Sequence, residues 1–149
     1  MTFDSQSFLN TETTGAMSTE YPVIDEGDYT VQIDKLDAKQ VVSSKNGETY
    51  HFLDITYIVD DEAARAKTGM AQPRARQSII LDLTDDGRLD KTEGKNVALG
   101  RVRDAVGQND PSRPWSFQML IGQTCRGSIK HRVADDGRIF AEVKAVTKL

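Results

Sequence analysis

Alternation of apolar and polar residues is clearest from Thr124 to Val133. Cys125, Gly127, Ile129, His131 and Val133 fall on one side of an extended chain, and Thr124, Arg126, Ser128, Lys130 and Arg132 fall on the other. Ala134-Asp135-Asp136-Gly137 follows as a turn, since Asp-Gly tolerates the positive φ of tight hairpin loops. Ile139, Ala141, Val143 and Ala145 then resume the apolar side opposite Phe140, Glu142 and Lys144. The stretch therefore predicts a β-hairpin with one face for a core and one basic face. A basic face suits a polyanion, and it equally suits a solvated strand that resists edge aggregation.

The same period recurs upstream. Tyr29, Val31 and Ile33 alternate with Thr30, Gln32 and Asp34 as a first strand, and the polar stretch from Lys35 to Glu48 reads as a flexible connection. In a second strand, Tyr50 to Val59, Leu53, Ile55, Tyr57 and Val59 oppose Tyr50, Phe52, Asp54 and Thr56. That arrangement leaves two aromatics on the nominally polar side, placed either to pack under a loop or to stack on bases. Asp60 to Pro73 forms a long loop with a helical turn near Asp61 to Lys67. A third strand from Arg76 to Leu83 sets Gln77, Ile79, Leu81 and Leu83 against Arg76, Ser78, Ile80 and Asp82. Period 3.6 appears once, from Lys95 to Val106, where Ala98, Leu99, Val102, Ala105 and Val106 share a side, Arg101, Arg103 and Asp104 face water, and Gly107 follows as a cap. Trp115 to Ile121 supplies a further helical turn, with Trp115 expected to cap the core.

Five short strands with one helix between the third and fourth is the order of an OB-fold, a small Greek-key barrel, although an antiparallel meander with one packed helix gives the same string. The fold expected is therefore mainly β: a five-stranded OB-like barrel over residues 23–149. Residues 1–22, rich in Ser, Thr, Glu and Gln and without periodicity, form an extended N-terminal arm. Phe3, Phe8, Leu9 and Tyr21 give this arm the means to pack along its own domain or on a partner subunit.

Composition narrows the class. With 149 residues, 38% hydrophobic and 28% charged, the chain is an ordinary globular domain with no apolar run near the roughly 20 residues that span a bilayer. Its first residues do not read as a signal peptide, and a single cysteine, Cys125, suits a reducing compartment. The net charge of -4 is unevenly spread: Asp4, Glu12, Glu20, Asp25, Glu26 and Asp28 lie in residues 1–28 with no Lys or Arg, leaving 17 acids against all 19 bases in the body. Six carboxylates without a counter-cation could lie across a basic face and lower its non-specific affinity for a polyanion.

No Gly-rich phosphate loop, nucleophile elbow or metal-spaced His or Cys pair occurs, so no enzyme, metal or cofactor is expected. His51, His131 and Cys125 are too few for a zinc site, and the repeated Asp-Asp-Gly-Arg at Asp85 to Arg88 and Asp135 to Arg138 is explained by turn chemistry. A single-strand binder needs a cationic track and aromatic platforms. Arg76, Arg126, Lys130, Arg132 and Lys144 are candidates for phosphates and Tyr50, Phe52 and Phe140 for stacking. OB-folds bind on strands 2 and 3, flanked by the loops joining strands 1 to 2 and 4 to 5, which adds Lys35, Lys39, Lys45 and Arg138.

Glu26-Gly27-Asp28-Tyr29, Asn46-Gly47-Glu48-Thr49-Tyr50, the Leu99 to Gly107 helix ending Ala-Val-Gly, and Ile121-Gly122 before Ile129-Lys130-His131 carry a resemblance. Over roughly Val23 to Val146 the chain resembles a phage-encoded family of single-stranded-DNA-binding-like proteins, long catalogued as a domain of unknown function. The resemblance implies an OB-like fold and single-stranded DNA binding in phage replication or recombination. A homo-oligomer, other phage replication proteins as partners and the host cytoplasm follow from the same reading. Better-known single-stranded-DNA-binding proteins carry an acidic C-terminal tail, whereas this chain ends Ala-Val-Thr-Lys-Leu, so recruitment through such a tail is not expected. Two rival readings remain: a virion structural or decoration protein whose arm laces onto a neighbour, and an accessory protein that binds another replication protein and never touches DNA.

Overall fold

The computed structural model describes residues 2–149. Five strands, β1 (Gly27–Val42), β2 (Thr49–Asp60), β3 (Arg74–Leu81), β4 (Thr124–Val133) and β5 (Ile139–Thr147), close into a barrel in the order β1-β2-β3-β5-β4. All neighbours are antiparallel except β3 and β5, which meet in parallel through the single pair Arg76 and Glu142. This is an OB-like Greek-key barrel, as the alternation predicts. Two short helices, α1 (Ser5–Leu9) in the arm and α2 (Glu62–Thr68) between β2 and β3, precede α3 (Val97–Ala105), which lies between β3 and β4 and packs on both β3 and β5. It buries Leu99, Val102 and Ala105, the face set by its period.

Inside the barrel, Val31 and Ile33 of β1, Leu53, Ile55, Tyr57 and Val59 of β2, Cys125 and Ile129 of β4, and Val143 of β5 form one core with α3. Burying a side chain of this size is worth about 1.5–3 kcal/mol. Tyr57 is fully buried, and its hydroxyl is satisfied by donating to Gln77 Oε1 at 2.6 Å. Cys125 is fully buried too, and burial pushes its thiol up to about 11, which leaves it unreactive at neutral pH. Trp115 packs against this core as expected, with its indole N–H donating to Gln108 at 2.9 Å. The guanidinium of Arg103 covers the Trp115 ring at 4.3 Å, so Arg103 does not face water as its place on the helical wheel suggested.

Several expectations need correction. Lys35 to Val42 is not a loop: β1 continues through it, leaving only Ser43–Glu48 as the turn into β2. The register shifts by one residue at Asp34, between the pairs Ile33–Tyr57 and Lys35–Thr56. Such a bulge bends a strand and exchanges its faces, so the even-numbered Leu36 follows the odd-numbered Val31 and Ile33 inward. A second shift at Lys144 does the same in β5, where Val146 is buried and Ala145 exposed, the reverse of strict alternation. At the β4–β5 tip, Val133 and Ile139 are exposed because the hairpin outruns the barrel. β3 runs from Arg74 to Leu81, and Leu83 instead bridges Leu89 in the following loop.

Asn96 holds that loop to the end of β3. Its side chain accepts from the Asp82 N–H at 2.8 Å and donates to the Asp82 and Asp90 carbonyls at 2.8 and 2.9 Å. The left-handed backbone this requires, φ 52°, is tolerated best by Asn after Gly. The helix consequently begins at Val97 and not at Lys95.

The arm contains one short helix, α1 (Ser5–Leu9), capped by Asp4, which the lack of periodicity did not foretell. Residues 2–22 are all exposed and do not lie along their own barrel.

A Gly127→Val variant tests the packing of β4 on β1. A Cβ at Gly127 would meet the Val31 methyls at 3.1 and 3.2 Å and Val143 at 3.5 Å, in the middle of the core. Overpacking of this kind costs about 1–3 kcal/mol. Urea denaturation should show an unfolding free energy lower by that amount, read as a lower midpoint with an unchanged slope.

Candidate nucleic-acid interface

Directly opposite residues of paired strands project from the same face, with Cβ atoms roughly 4.5–5.5 Å apart. The register therefore maps the outer surface of the barrel row by row. One row crosses all five strands: Lys35 opposite Thr56, Thr56 opposite Arg76, Arg76 opposite Glu142, and Glu142 opposite Lys130. Lys35, Arg76 and Lys130 each lie two strands apart along it, roughly 10 Å by the usual strand spacing. The next row toward the β1–β2 turn is Asp37, Asp54 and Ser78, and the one beyond is Lys39, Phe52 and Ile80. Val41 and Tyr50 pair at the end of the hairpin.

Asp54 organises the centre of this face. Although 6% exposed, it receives Lys39 Nζ at 2.9 Å and Arg76 at 3.8 Å. Burial alone would raise its carboxyl, but hydrogen bonds from Lys39 and Ser78 and the charges of Lys39 and Arg76 outweigh it and hold the group below the usual carboxylate range. Lys39 also sits 5.9 Å over the Phe52 ring, so one ammonium bridges the buried carboxylate and the half-buried aromatic.

Glu142 has a parallel role at the seam. Burial would raise it, whereas hydrogen bonds from Arg132 and Lys144 bring it down. Arg132 pairs with Glu142 and also lies 4.8 Å over Phe140, and Arg138, paired with Asp136 at 2.7 Å, lies 5.5 Å from the same ring. Phe140 is thus flanked by two guanidiniums. A base stacking there has to displace one of them or stack on the guanidinium itself.

The twelve candidates separate accordingly. Lys35, Arg76 and Lys130 share the five-strand row, and Lys39, Phe52 and Tyr50 continue it toward the turn, where Lys45 lies. Tyr50 is held by its hydroxyl, which donates to Glu48 and accepts from Asn46, both at 3.1 Å. Arg132, Arg138, Lys144 and Phe140 form a second cluster on β4–β5, joined to the first through Glu142. Arg126 stands apart, opposite Thr30 at the start of β1 and four residues from Lys130 along β4. Among the described residues, Lys35, Lys45, Arg126 and Lys130 form no ion pair, whereas the other five cations each face a carboxylate.

Sequence reasoning passed over Arg74, which pairs with Asp34 at 3.3 Å beside the bulge, and the exposed apolar Val41 and Ile80. The alternation Arg74-Ala75-Arg76 was the available signal for the first. Next to Ile80, a pocket of about 500 Å³ is lined by Tyr50, His51, Asp82, Asp85, Asp90 and Lys95, an acidic wall unsuited to phosphate. Both histidine rings have hydrogen-bond partners, His51 with Gln40 at 3.0 Å and His131 with the Ile24 carbonyl at 2.7 Å.

No protein-family model matches the sequence, and no curated protein matches it. No helix among the described residues is long and apolar enough to cross a membrane.

An Asp54→Asn variant tests the organising role. Because the folded-state value of Asp54 lies below its ordinary value of about 3.9, its contribution is fully present above that pH and is lost as pH falls through the folded value. The variant should lose on the order of 1 kcal/mol at pH 7. It should also show a shallower loss of stability than the parent between pH 5 and pH 2 (about the carboxylate range), measured by urea midpoints across that window.

Proposed function

We propose that this protein binds single-stranded DNA without strong sequence preference, as a non-catalytic factor in phage DNA replication or recombination. The supporting observation is the outer face of β1, β2 and β3. It sets an ammonium over the half-buried ring of Phe52 at Lys39, with Phe52 directly opposite the exposed Ile80, and runs parallel to the row Lys35, Arg76 and Lys130. Unpaired bases need flat apolar surface and the backbone needs cations, and this face supplies both side by side. It is also the face on which OB barrels take oligonucleotides, between the β1–β2 turn carrying Lys45 and the β4–β5 turn carrying Arg138. The residues of the phage-family resemblance fit the same reading. Carboxylates interleaved among the cations favour a modest, salt-sensitive affinity, since Asp54 and Glu142 compete with phosphate for Lys39, Arg76, Arg132 and Lys144.

One observation favours the second reading, a virion structural or decoration protein: the arm leaves Phe3, Phe8, Leu9 and Tyr21 exposed. A neighbouring subunit would cover them.

Fluorescence-anisotropy titration with single-stranded and duplex oligonucleotides across salt concentrations distinguishes the two. Binding should prefer the single strand and weaken steeply with salt, and absence of a salt-sensitive single-strand preference would refute the DNA-binding reading. The double variant Lys35→Ala, Lys130→Ala removes two cations without orphaning a carboxylate. It should reduce the slope of log affinity against log salt by about 0.7 per lost phosphate contact while leaving the thermal midpoint unchanged.

A further inference from the structure

The arm and the barrel face carry matching chemistry. Residues 2–22 hold Asp4, Glu12 and Glu20 and no Lys or Arg, together with Phe3, Phe8, Leu9, Met17 and Tyr21, which are 66%, 58%, 72%, 77% and 94% exposed. A segment that is simply solvated has little use for so many large apolar side chains. Two of them are already arranged. The Phe3 and Phe8 rings lie 5.2 Å apart across α1, whose cap Asp4 accepts from the Gln6 N–H at 3.1 Å and from the Ser7 hydroxyl at 2.9 Å. The tip of the arm is therefore an aromatic pair beside an anionic group, the combination that an oligonucleotide offers through its bases and phosphates.

The complementary surface is the end of the β1–β2–β3 face. Val41 and Ile80 are 40% and 44% exposed, Tyr50 and Phe52 are half-buried beside them, and Lys39 and Lys45 flank the group. We infer that this face receives the N-terminal arm of a second copy of the chain. Phe3 and Phe8 would cover the Val41–Tyr50 and Phe52–Ile80 pairs, and the arm's carboxylates would face Lys35, Lys39 and Lys45.

Reach argues for a second copy over the chain's own arm. The arm is rooted where Ile24 is buried, its carbonyl held by His131 and the Glu26 carboxylate accepting from the His131 N–H at 2.8 Å. This root adjoins Gly27, the start of β1, whereas Val41 lies at the other end of the same strand, about 45 Å along it at the usual rise. The bulge at Asp34 bends the strand and shortens the straight path, yet the segment from Phe8 to Pro22, as a flexible chain, covers only roughly 20 Å and has to extend well beyond that to reach the far end. An arm from a neighbouring copy carries no such tether. Because the docked arm occupies the face assigned above to single-stranded DNA, the two compete. The competition rests on that assignment, but the docking does not.

The test uses the full chain in analytical ultracentrifugation over a range of concentration and salt. The parent should self-associate, more tightly at low salt. The arm variant Phe3→Ala, Phe8→Ala and the face variant Val41→Ser, Ile80→Ser should each weaken association at least tenfold. All four positions are exposed, so the fold is retained, which circular dichroism checks. Mixed together, the two variants should recover part of the lost association, since each supplies the half the other lacks. Association unchanged by the arm variant, or a parent that stays monomeric, overturns the inference. A monomeric parent whose oligonucleotide affinity nonetheless rises on Phe3→Ala, Phe8→Ala also overturns it, by placing the arm on its own barrel. Oligonucleotide titrations of the same variants keep the two readings separate. If association follows the arm and the face while no variant binds DNA, the docking stands and the DNA-binding function fails.

Discussion

Closure of the barrel depends on a narrow seam. Every other strand junction is an extended antiparallel ladder, but β3 and β5 meet in parallel through Arg76 and Glu142 alone. A sheet of five strands closes only if its strands tilt and bend, and the bulges at Asp34 and Lys144 provide the bending in β1 and β5. The position of the seam decides which outer side chains become neighbours. With the strands closed in this order, Lys130 of the last hairpin joins, through Glu142 and Arg76, the row that ends at Lys35 of the first strand.

The same constraint explains the electrostatics of the face. Bringing Arg76, Arg132, Lys144 and Lys39 onto one curved surface would be repulsive without counter-charges, and Asp54 and Glu142 sit where the crowding is greatest. Both carboxyls lie below their ordinary range because the cations around them outweigh the penalty of burial. The face is thus a balanced lattice with free cations at its margins, Lys35, Lys45 and Lys130. Such a lattice exchanges intramolecular ion pairs for contacts with an incoming polyanion, whether a nucleic acid or an acidic arm.

Much of the candidate site was legible as residue type. Alternation in β2, β3 and β4 correctly put Tyr50, Phe52, Arg76 and Lys130 on the outer side, because a two-residue period is a property of the extended chain itself. Lys35 and Lys39 lie in a stretch whose sequence reads as a loop but which is strand. The bulge at Asp34 breaks the period, and the polar sequence of the exposed hairpin end carries no burial signal to reveal a strand. Ala145 was placed inward for a similar reason: one extra residue at Lys144 turns Val146 in and Ala145 out. That Phe140 lies between Arg132 and Arg138, and that Asp54 holds Lys39 and Arg76, were not legible, since each contact joins residues from different strands or from the two sides of a turn.

By itself the sequence determined the elements: five strands, one amphipathic helix, an acidic arm and a surplus of cations on polar strand faces. Local periodicity and turn chemistry fix these without reference to distant residues. Only the tertiary structure decided the register, the closure at Arg76 and Glu142, and hence which cations remain free and which are neutralised. These are contacts between residues far apart in the chain, where strand curvature and shared counter-charges set the outcome and no local pattern records them. The β4–β5 hairpin is the clearest case: its alternation specified a basic outer face, and the fold then turned Arg132 toward Glu142 and Phe140 and Lys144 toward Glu142, leaving Arg126 and Lys130 without an ion pair.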